Sequence, residues 1–185
     1  AGFGWRVSIA TVPGDGPFSR FDGYDRHIMA IEGDGFTLEG GPGGPIPVHP
    51  VFEPRHFSGD WSIFGRVRNG PSRDFNLIAL RERFMSSIDV LGCGLHSTVE
   101  AGSGWAFFHV LSGEAAIGGD LIQQAESILL APGAAATFAV TGTGACVALC
   151  RVIPLGGQEA AAIAGAVSNR PLPSNNCRNS LKSSV

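Results

Sequence analysis

The sequence predicts an all-β protein built from many short strands. Its 185 residues include 27 glycines and 12 prolines, the two residues that most often interrupt regular structure. Clusters of turn-forming residues recur roughly every 8 to 12 positions, which is typical of a β-sandwich or β-barrel. Apolar residues make up 44% of the chain, enough for the core of one compact domain or of two small fused barrels.

Strands in the first half are indicated by alternation or by short apolar runs between turns. Residues 5–12 alternate apolar and polar side chains and place Arg6 and Ser8 on one face. The turn Glu32-Gly33-Asp34-Gly35 predicts a hairpin between its flanking strands. A Gly/Pro-rich loop covers 40–50. The other strands predicted in this half are 27–31, 36–38, 61–67 and 75–80.

The second half repeats the same pattern of short strands and turns. We expect Ser112-Gly113-Glu114 to form a turn between two strands. The composition of 158–167, rich in alanine, predicts a helix, and the polar segment that follows predicts a loosely docked tail. The strands predicted here are 107–111, 115–117, 127–130 and 145–152.

Charge and cysteine usage exclude several classes of function. The formal net charge of -3 provides no basic field for nucleic acid. No apolar run reaches the roughly 18 residues that a membrane span requires, and no signal peptide is apparent, so we expect a cytoplasmic protein. The cysteines lack CxxC spacing. We expect reduced thiols, with Cys146 and Cys150 buried on one face of a strand.

Three segments, 5–8, 18–26 and 73–76, place arginines, carboxylates, hydroxyls and an amide at the ends of strand-like runs. A β-barrel would present such side chains to a ligand, so the segments predict a pocket for a small polar molecule. A buried structural pair between Arg26 and Asp74 is an alternative interpretation. The candidate ligand-binding residues are Ser8, Ser19, Arg26, Arg73, Asp74 and Asn76.

Two sets of motifs resemble known protein families. Phe108-His109-Val110-Leu111-Ser112-Gly113-Glu114, followed by Glu126 to Gly133, resembles the two halves of a cupin barrel. Across the first half the chain is similar to the HutD/Ves family. The motifs that carry this second resemblance are Trp5-Arg6-Val7-Ser8, Gly16-Pro17-Phe18-Ser19-Arg20-Phe21, Phe57-Ser58-Gly59-Asp60, Gly70-Pro71 and Arg73-Asp74-Phe75-Asn76-Leu77.

The resemblance implies a bicupin, two fused cupin-like barrels with little helix. We expect an N-terminal barrel with the ligand pocket at 1–90, a C-terminal barrel at 91–167 and a polar tail at 168–185. Members of the family are often encoded with histidine-degradation enzymes, and a suspected role is binding an intermediate such as N-formylglutamate. The long loop 40–54 departs from the family pattern and could alter the pocket mouth.

On this hypothesis, each of the six candidate residues has a role in binding a small anionic metabolite. Arg73 would pair with a carboxylate, and Asn76 and Ser8 would bond to amide or formyl groups. Asp74 would orient its neighbours, and Ser19 and Arg26 would complete the set.

We expect neither a metal nor another cofactor. The five histidines form no HxH pair, and the position where a metal-binding cupin carries its glutamate falls within 104–107, which has no ligating side chain. There is no GxSxG motif, and no catalytic residue is assigned.

Two other functions remain open. One is a metal-independent hydrolase or isomerase, with Asp74 as acid or base and Ser8 or Ser19 assisting. The other is a protein-interaction module without a small ligand. A homodimer is plausible for either, because open barrel edges are commonly covered by a second subunit.

Overall fold

The computed structural model describes residues 2–156, and in that range the chain forms β-strands and turns without a helix. It divides into two compact units between Ile88 and Asp89. The predicted all-β, cupin-like fold is confirmed. The helix predicted at 158–167 and the predicted tail lie outside the described residues.

The first unit contains two four-stranded antiparallel sheets. One has the order β1-β8-β3-β6, and the other has the order β2-β7-β4-β5. The strands are β1 (Trp5–Val12), β2 (Gly16–Pro17), β3 (Tyr24–Glu32), β4 (Phe36–Glu39), β5 (Ile46–Val48), β6 (Arg55–Ser58), β7 (Phe64–Val67) and β8 (Ser72–Leu80).

A six-stranded sheet dominates the second unit. Its order is β10-β14-β11-β12, with β13 also paired to β11 and β9 to β14. The strands are β9 (Phe84–Gly92), which crosses the division between the units, β10 (His96–Glu100), β11 (Trp105–Ile117), β12 (Asp120–Gln123), β13 (Ser127–Leu130) and β14 (Ala135–Pro154).

The core of the first unit is formed by apolar side chains from both of its sheets. Ile28 on β3 and Phe36 on β4 are fully buried, and so is Val48 on β5. Phe57 and Ile63 join the same cluster. Burying several large side chains of this kind stabilises the sandwich by roughly 1.5–3 kcal/mol each.

The hairpin predicted at Glu32 to Gly35 is wrong. β3 pairs with β8 and β6, whereas β4 pairs with β5 and β7, so this turn carries the chain from one sheet to the other. Both glycines have positive φ, and a Cβ on Gly35 would clash with the carbonyl oxygen of Val48. The Gly35 N–H donates to Ser72 Oγ at 3.0 Å. The tight corner between the two sheets thus requires glycine. A hairpin turn requires the same backbone conformation, so the local sequence does not distinguish the two.

The turn predicted at Ser112-Gly113-Glu114 is also wrong, because β11 continues through it. The pairing of β11 with β14 shifts register between Val110 and Ser112 and again between Ser112 and Glu114. Gly113 has a φ of 70°, and Ser112 Oγ donates to the carbonyl of Gly144 at 2.6 Å. The segment is therefore a β-bulge, which uses the same glycine conformation as a turn.

The cysteine prediction is correct in part. Cys146 and Cys150 are both buried on β14. Cys150 has a free thiol, as does Cys93, whereas Cys146 is disulfide-bonded and contradicts the expectation of reduced thiols. Strand alternation indicates which cysteines are buried, but it carries no information on their oxidation state.

Candidate functional site

A cavity of about 590 Å³ opens in the first unit. Its wall is formed by β1, β3 and β8 and by the chain from Pro13 to Phe21. No residue of 40–54 is among the residues that line it, so within the described chain this loop does not form its wall. Five of the six predicted site residues line it, namely Ser8, Ser19, Arg26, Asp74 and Asn76.

The register of β1 on β8 explains why these side chains meet. Ser8 lies opposite Asn76, and Ala10 lies opposite Asp74. Residues directly opposite one another in an antiparallel pair share a face of the sheet. Arg26 on β3 lies opposite Ile78 of β8 and therefore extends the same face.

Arg26, Asn76 and Asp74 form a hydrogen-bonded chain at the cavity wall. Arg26 Nη2 donates to Asn76 Oδ1 at 2.9 Å, and Asn76 Nδ2 donates to Asp74 Oδ1 at 2.7 Å. Arg26 Nη1 donates to the backbone carbonyl of Ser19 at 3.0 Å. The alternative of a structural Arg26–Asp74 pair thus takes an indirect form, with the Asn76 amide between the two charges.

The Arg26 guanidinium is buried among aromatic rings. The residue is only 5% exposed, and its Cζ lies 5.0 Å from the Phe57 ring centroid, 5.4 Å from that of Phe21 and 5.9 Å from that of Phe18. Burial lowers the pKa of Arg26 to about 10, and repulsion by Arg6 contributes in the same direction against the attraction of Asp74. Arg26 therefore keeps its positive charge at neutral pH.

This guanidinium has hydrogen-bonding capacity to spare. Its five N–H groups make the bonds to Ser19 and Asn76 described above. Nε is buried and has no hydrogen-bond partner among residues 2–156. A buried, charged donor without a partner is costly. A nearby anion would offset part of that cost by compensating the charge of the guanidinium group.

Asp74 carries an unusual carboxyl group. It is 1% exposed, and burial raises its pKa to about 6 against the opposing effects of Arg26, the backbone N–H of Ala10 and the side chain of Asn76. The carboxyl group can therefore change protonation state close to neutral pH. A group of this kind in a cavity can accept or donate a proton during binding or reaction.

Arg6 is a cavity residue that sequence reasoning left out of the site. Its Cζ lies 4.9 Å from the Phe3 ring centroid and 5.1 Å from that of Phe21. The signal was present, because alternation on β1 places Arg6 on the same face as Ser8. Two arginines, Arg6 and Arg26, thus approach the same Phe21 ring.

Arg73 is not brought to this cavity. It neighbours Asp74 on β8, so its side chain points to the opposite face of the strand. Arg73 Nη1 forms an exposed ion pair with Glu32 Oε1 at 2.6 Å. The arginines that line the cavity are Arg6 and Arg26, and Arg73 is not among them.

The two predicted serines take different positions. Ser8 is half-buried on β1 beside Asn76. Ser19 is exposed and contributes its backbone carbonyl to Arg26. Of the two hydroxyl groups, that of Ser8 therefore belongs to the β1 face that carries the polar wall.

The segment that covers the cavity is fastened to β7. Asp15 accepts a hydrogen bond from the backbone N–H of Val67 at 2.9 Å and from Arg66 Nη1 at 3.1 Å. The bond from Val67 and the bond and charge of Arg66 lower the pKa of Asp15. Asp15 is thus an anion already paired with a cation of its own.

The histidines do not line the cavity. His27 points away from the face of Arg26, as strand alternation predicts, and its Nε2 lies 3.0 Å from Ser86 Oγ. The ring of His56 packs against that of His27, with ring centroids 4.7 Å apart.

In the described part of the chain, no group of three or more His, Cys, Asp or Glu side chains is arranged to hold a metal ion. Nor does a helix there have the length and apolar character needed to cross a bilayer.

Comparison with curated proteins finds bacterial relatives that match about half of this chain. A Pseudomonas putida protein described as an uncharacterized 21.2 kDa protein in the hutC 3' region is 39% identical over 89 residues, which cover 47% of this chain and 45% of that protein. Protein Ves of Citrobacter koseri is 34% identical over 91 residues, 48% of this chain and 46% of the relative. The matches thus span about half the length of these curated relatives.

Solved structures extend the similarity to most of the chain. HutD from Pseudomonas fluorescens SBW25 (formate condition) superposes with a TM-score of 0.72 at 28% identity, covering 84% of this chain and 82% of that one. A conserved protein of unknown function from Pseudomonas aeruginosa PAO1 gives 0.69 at 28% identity, covering 83% and 85%. A cupin 2 conserved barrel domain protein from Leptotrichia buccalis gives 0.52 at 11% identity, covering 80% and 84%, and shares the fold alone.

The strongest of these findings concerns the family. The HutD family model matches residues 1–148, a range that includes the whole first unit and its cavity. This chain belongs to the HutD family.

Proposed function

We propose that the first unit binds a small anionic metabolite with a carboxylate or formyl group, without a metal, and serves a regulatory or accessory role in histidine degradation. The observation that carries this proposal is the buried Arg26 guanidinium at the cavity wall. It keeps its charge, and its Nε has no partner among the described residues.

The size and charge of the cavity fit such a ligand. Its volume of about 590 Å³ lies within the range of roughly 300–1,000 Å³ of small-molecule sites. Arg6 and Arg26 are both positive, and Asp15 is already paired with Arg66. Planar guanidinium groups match the geometry of carboxylates. Because Arg6 and Arg26 outnumber Asp74, the other carboxyl group of the wall, the cavity favours a small anion over a neutral or cationic molecule.

The link to histidine degradation comes from the family and its relatives. The chain is a HutD-family member, and one relative is described by its position next to hutC. N-formylglutamate carries carboxylate and formyl groups together, so it can meet both Arg26 and the hydroxyl of Ser8. This makes it the first ligand to test.

Calorimetric titration with N-formylglutamate tests the proposal, with formiminoglutamate, urocanate and glutamate as comparators. Arg26→Gln removes the charge at the cavity wall, and Arg73→Gln removes the same charge from the opposite face of the sheet. We expect Arg26→Gln to lose roughly 1.5–3 kcal/mol of binding free energy and Arg73→Gln to bind like the unmodified protein. Equal affinities of the two variants would refute the assignment of Arg26, and no binding by the unmodified protein would refute the ligand class.

A metal-independent hydrolase or isomerase is a second candidate, favoured by Asp74 alone. A carboxyl group whose pKa is about 6 can act as a general acid or base near neutral pH. Incubation of N-formylglutamate with the protein, followed by proton NMR, distinguishes catalysis from binding. Product formation that Asp74→Asn abolishes would support the enzyme, whereas an unchanged spectrum in the presence of binding would support the binder.

A further inference from the structure

We propose that binding of an anion in this cavity is coupled to the uptake of one proton by Asp74. The inference rests on the proposed function and adds a form of regulation to it. It depends on where Asp74 lies relative to the charges of the cavity.

Asp74 faces a limited set of charged groups. From β3 it faces Arg26, and from β1 it faces the backbone N–H of Ala10, with Arg6 further along the same strand. Asp15, on the covering segment, is held by Arg66 and Val67. Arg73, its neighbour on β8, is paired with Glu32. Arg26 is therefore the buried cation that compensates Asp74, and it does so through Asn76.

An anion that enters the cavity competes with Asp74 for the positive charge of Arg26. With Asp74 ionised, a ligand carboxylate near Arg26 would put two negative charges beside one buried positive charge. Arg6, the other cation of the cavity, is exposed and compensates a buried charge less well. Like charges in a poorly solvated site disfavour each other, and the usual response is protonation of one of them. Asp74 is nearly fully buried, so solvent cannot screen this repulsion.

Protonation of Asp74 resolves the conflict and preserves the existing contacts. A neutral carboxyl group can still accept the hydrogen bond from Asn76 Nδ2 through its carbonyl oxygen, and it gains one O–H donor. Arg26 is then compensated by the ligand alone. The raised pKa of Asp74, about 6 in the unoccupied protein, means that this proton is gained at modest cost near neutral pH.

The coupling predicts a pH-dependent affinity. Above pH 6 the unoccupied protein holds Asp74 ionised, so each unit of pH increase should weaken binding by up to tenfold. Below pH 6 the affinity should level off. N-formylglutamate itself has no group that titrates between pH 6 and 8.5, so the dependence would arise from the protein.

Calorimetric titration with N-formylglutamate at pH 7.5, in buffers with different ionisation enthalpies, counts the protons directly. We expect close to one proton taken up by the unmodified protein and by Asp120→Asn, which replaces an exposed carboxylate of the second unit outside the cavity, and none by Asp74→Asn. A second series measures Kd of the unmodified protein from pH 5.5 to 8.5, where a tenfold change per unit above pH 6 is expected.

The outcomes separate the two proposals. Binding without proton uptake, or with an uptake that persists in Asp74→Asn, would overturn the coupling and leave the anion site standing. Binding to neither the unmodified protein nor its variants at any pH would overturn both.

Discussion

Asp74→Asn should change how the stability of the protein depends on pH. The buried carboxyl has its pKa raised from 3.8 to about 6, so between these values the folded state holds this proton more tightly than the unfolded chain. The unmodified protein therefore loses stability from this group as the pH rises through that window, and the loss is complete above pH 6. An asparagine at the same position does not titrate and cannot show this loss.

The size of the effect follows from the two pKa values. The full shift of about 2 units corresponds to about 3 kcal/mol at 1.36 kcal/mol per unit. Part of it is already present at pH 4.5, so the change between pH 4.5 and pH 7.5 is about 2 kcal/mol. Relative to the unmodified protein, Asp74→Asn should gain about that much stability on going from pH 4.5 to pH 7.5.

Urea unfolding at pH 4.5 and pH 7.5 measures this change in the free energy of unfolding. The comparison uses the change with pH and not the absolute stability, because replacing a carboxylate by an amide also alters the bonds to Asn76 and Ala10. Asp15→Asn is the matched control, since Asp15 is an exposed carboxylate on the same cavity with a lowered pKa. If the difference between Asp74→Asn and the unmodified protein is the same at both pH values, the raised pKa of Asp74 is wrong.

Two further predictions concern the framework around the site. Burial, assisted by His56, lowers the pKa of His27 to about 4, so His27 stabilises the fold fully above pH 6.5 and that stability is lost as the pH falls toward 4. His27→Gln should reduce the acid sensitivity of urea unfolding in this window by up to about 3 kcal/mol, and an unchanged pH profile would contradict it. Gly35→Ala should destabilise the protein by at least about 1 kcal/mol, because Gly35 has a φ of 76° and its Cβ would clash with Val48. Gly43→Ala, where a Cβ meets nothing within 4 Å, is the control, and equal melting temperatures of the two variants would contradict the assignment.

Strand alternation was the part of the sequence that predicted most. It placed β1 at Trp5–Val12, as observed, and it put Arg6 and Ser8 on one face of that strand, a face that lines the cavity. Alternation works here because this strand has two chemically different faces. The strand predicted at 75–80 excludes Arg73 and Asp74, so their faces are not predicted. In the structure β8 begins at Ser72, and the adjacent Arg73 and Asp74 therefore point to opposite faces.

Sheet membership could not be predicted from local sequence. The glycines at 33 and 35 signal a tight turn, but a corner between sheets and a hairpin within one sheet require the same positive φ. Gly113 shows the same ambiguity between a turn and a β-bulge. Which solution forms is decided by long-range pairing, such as that of β3 with β8, which lies far along the chain.

The raised pKa of Asp74 also could not be predicted from the sequence. Its cause is burial combined with an indirect contact to Arg26 through Asn76, and both depend on three strands meeting in space. The orphaned Nε of Arg26 has the same origin.

The NMR signal of the Arg26 Nε–H group tests the central claim most directly. Its assignment follows from its loss in Arg26→Lys, and the Nε–H of Arg73 in the same spectrum serves as an internal control. The account predicts that N-formylglutamate shifts the Arg26 signal in a saturable manner and leaves the Arg73 signal in place. A saturable shift of Arg73 with Arg26 unmoved, or no shift of either at millimolar ligand, would contradict it.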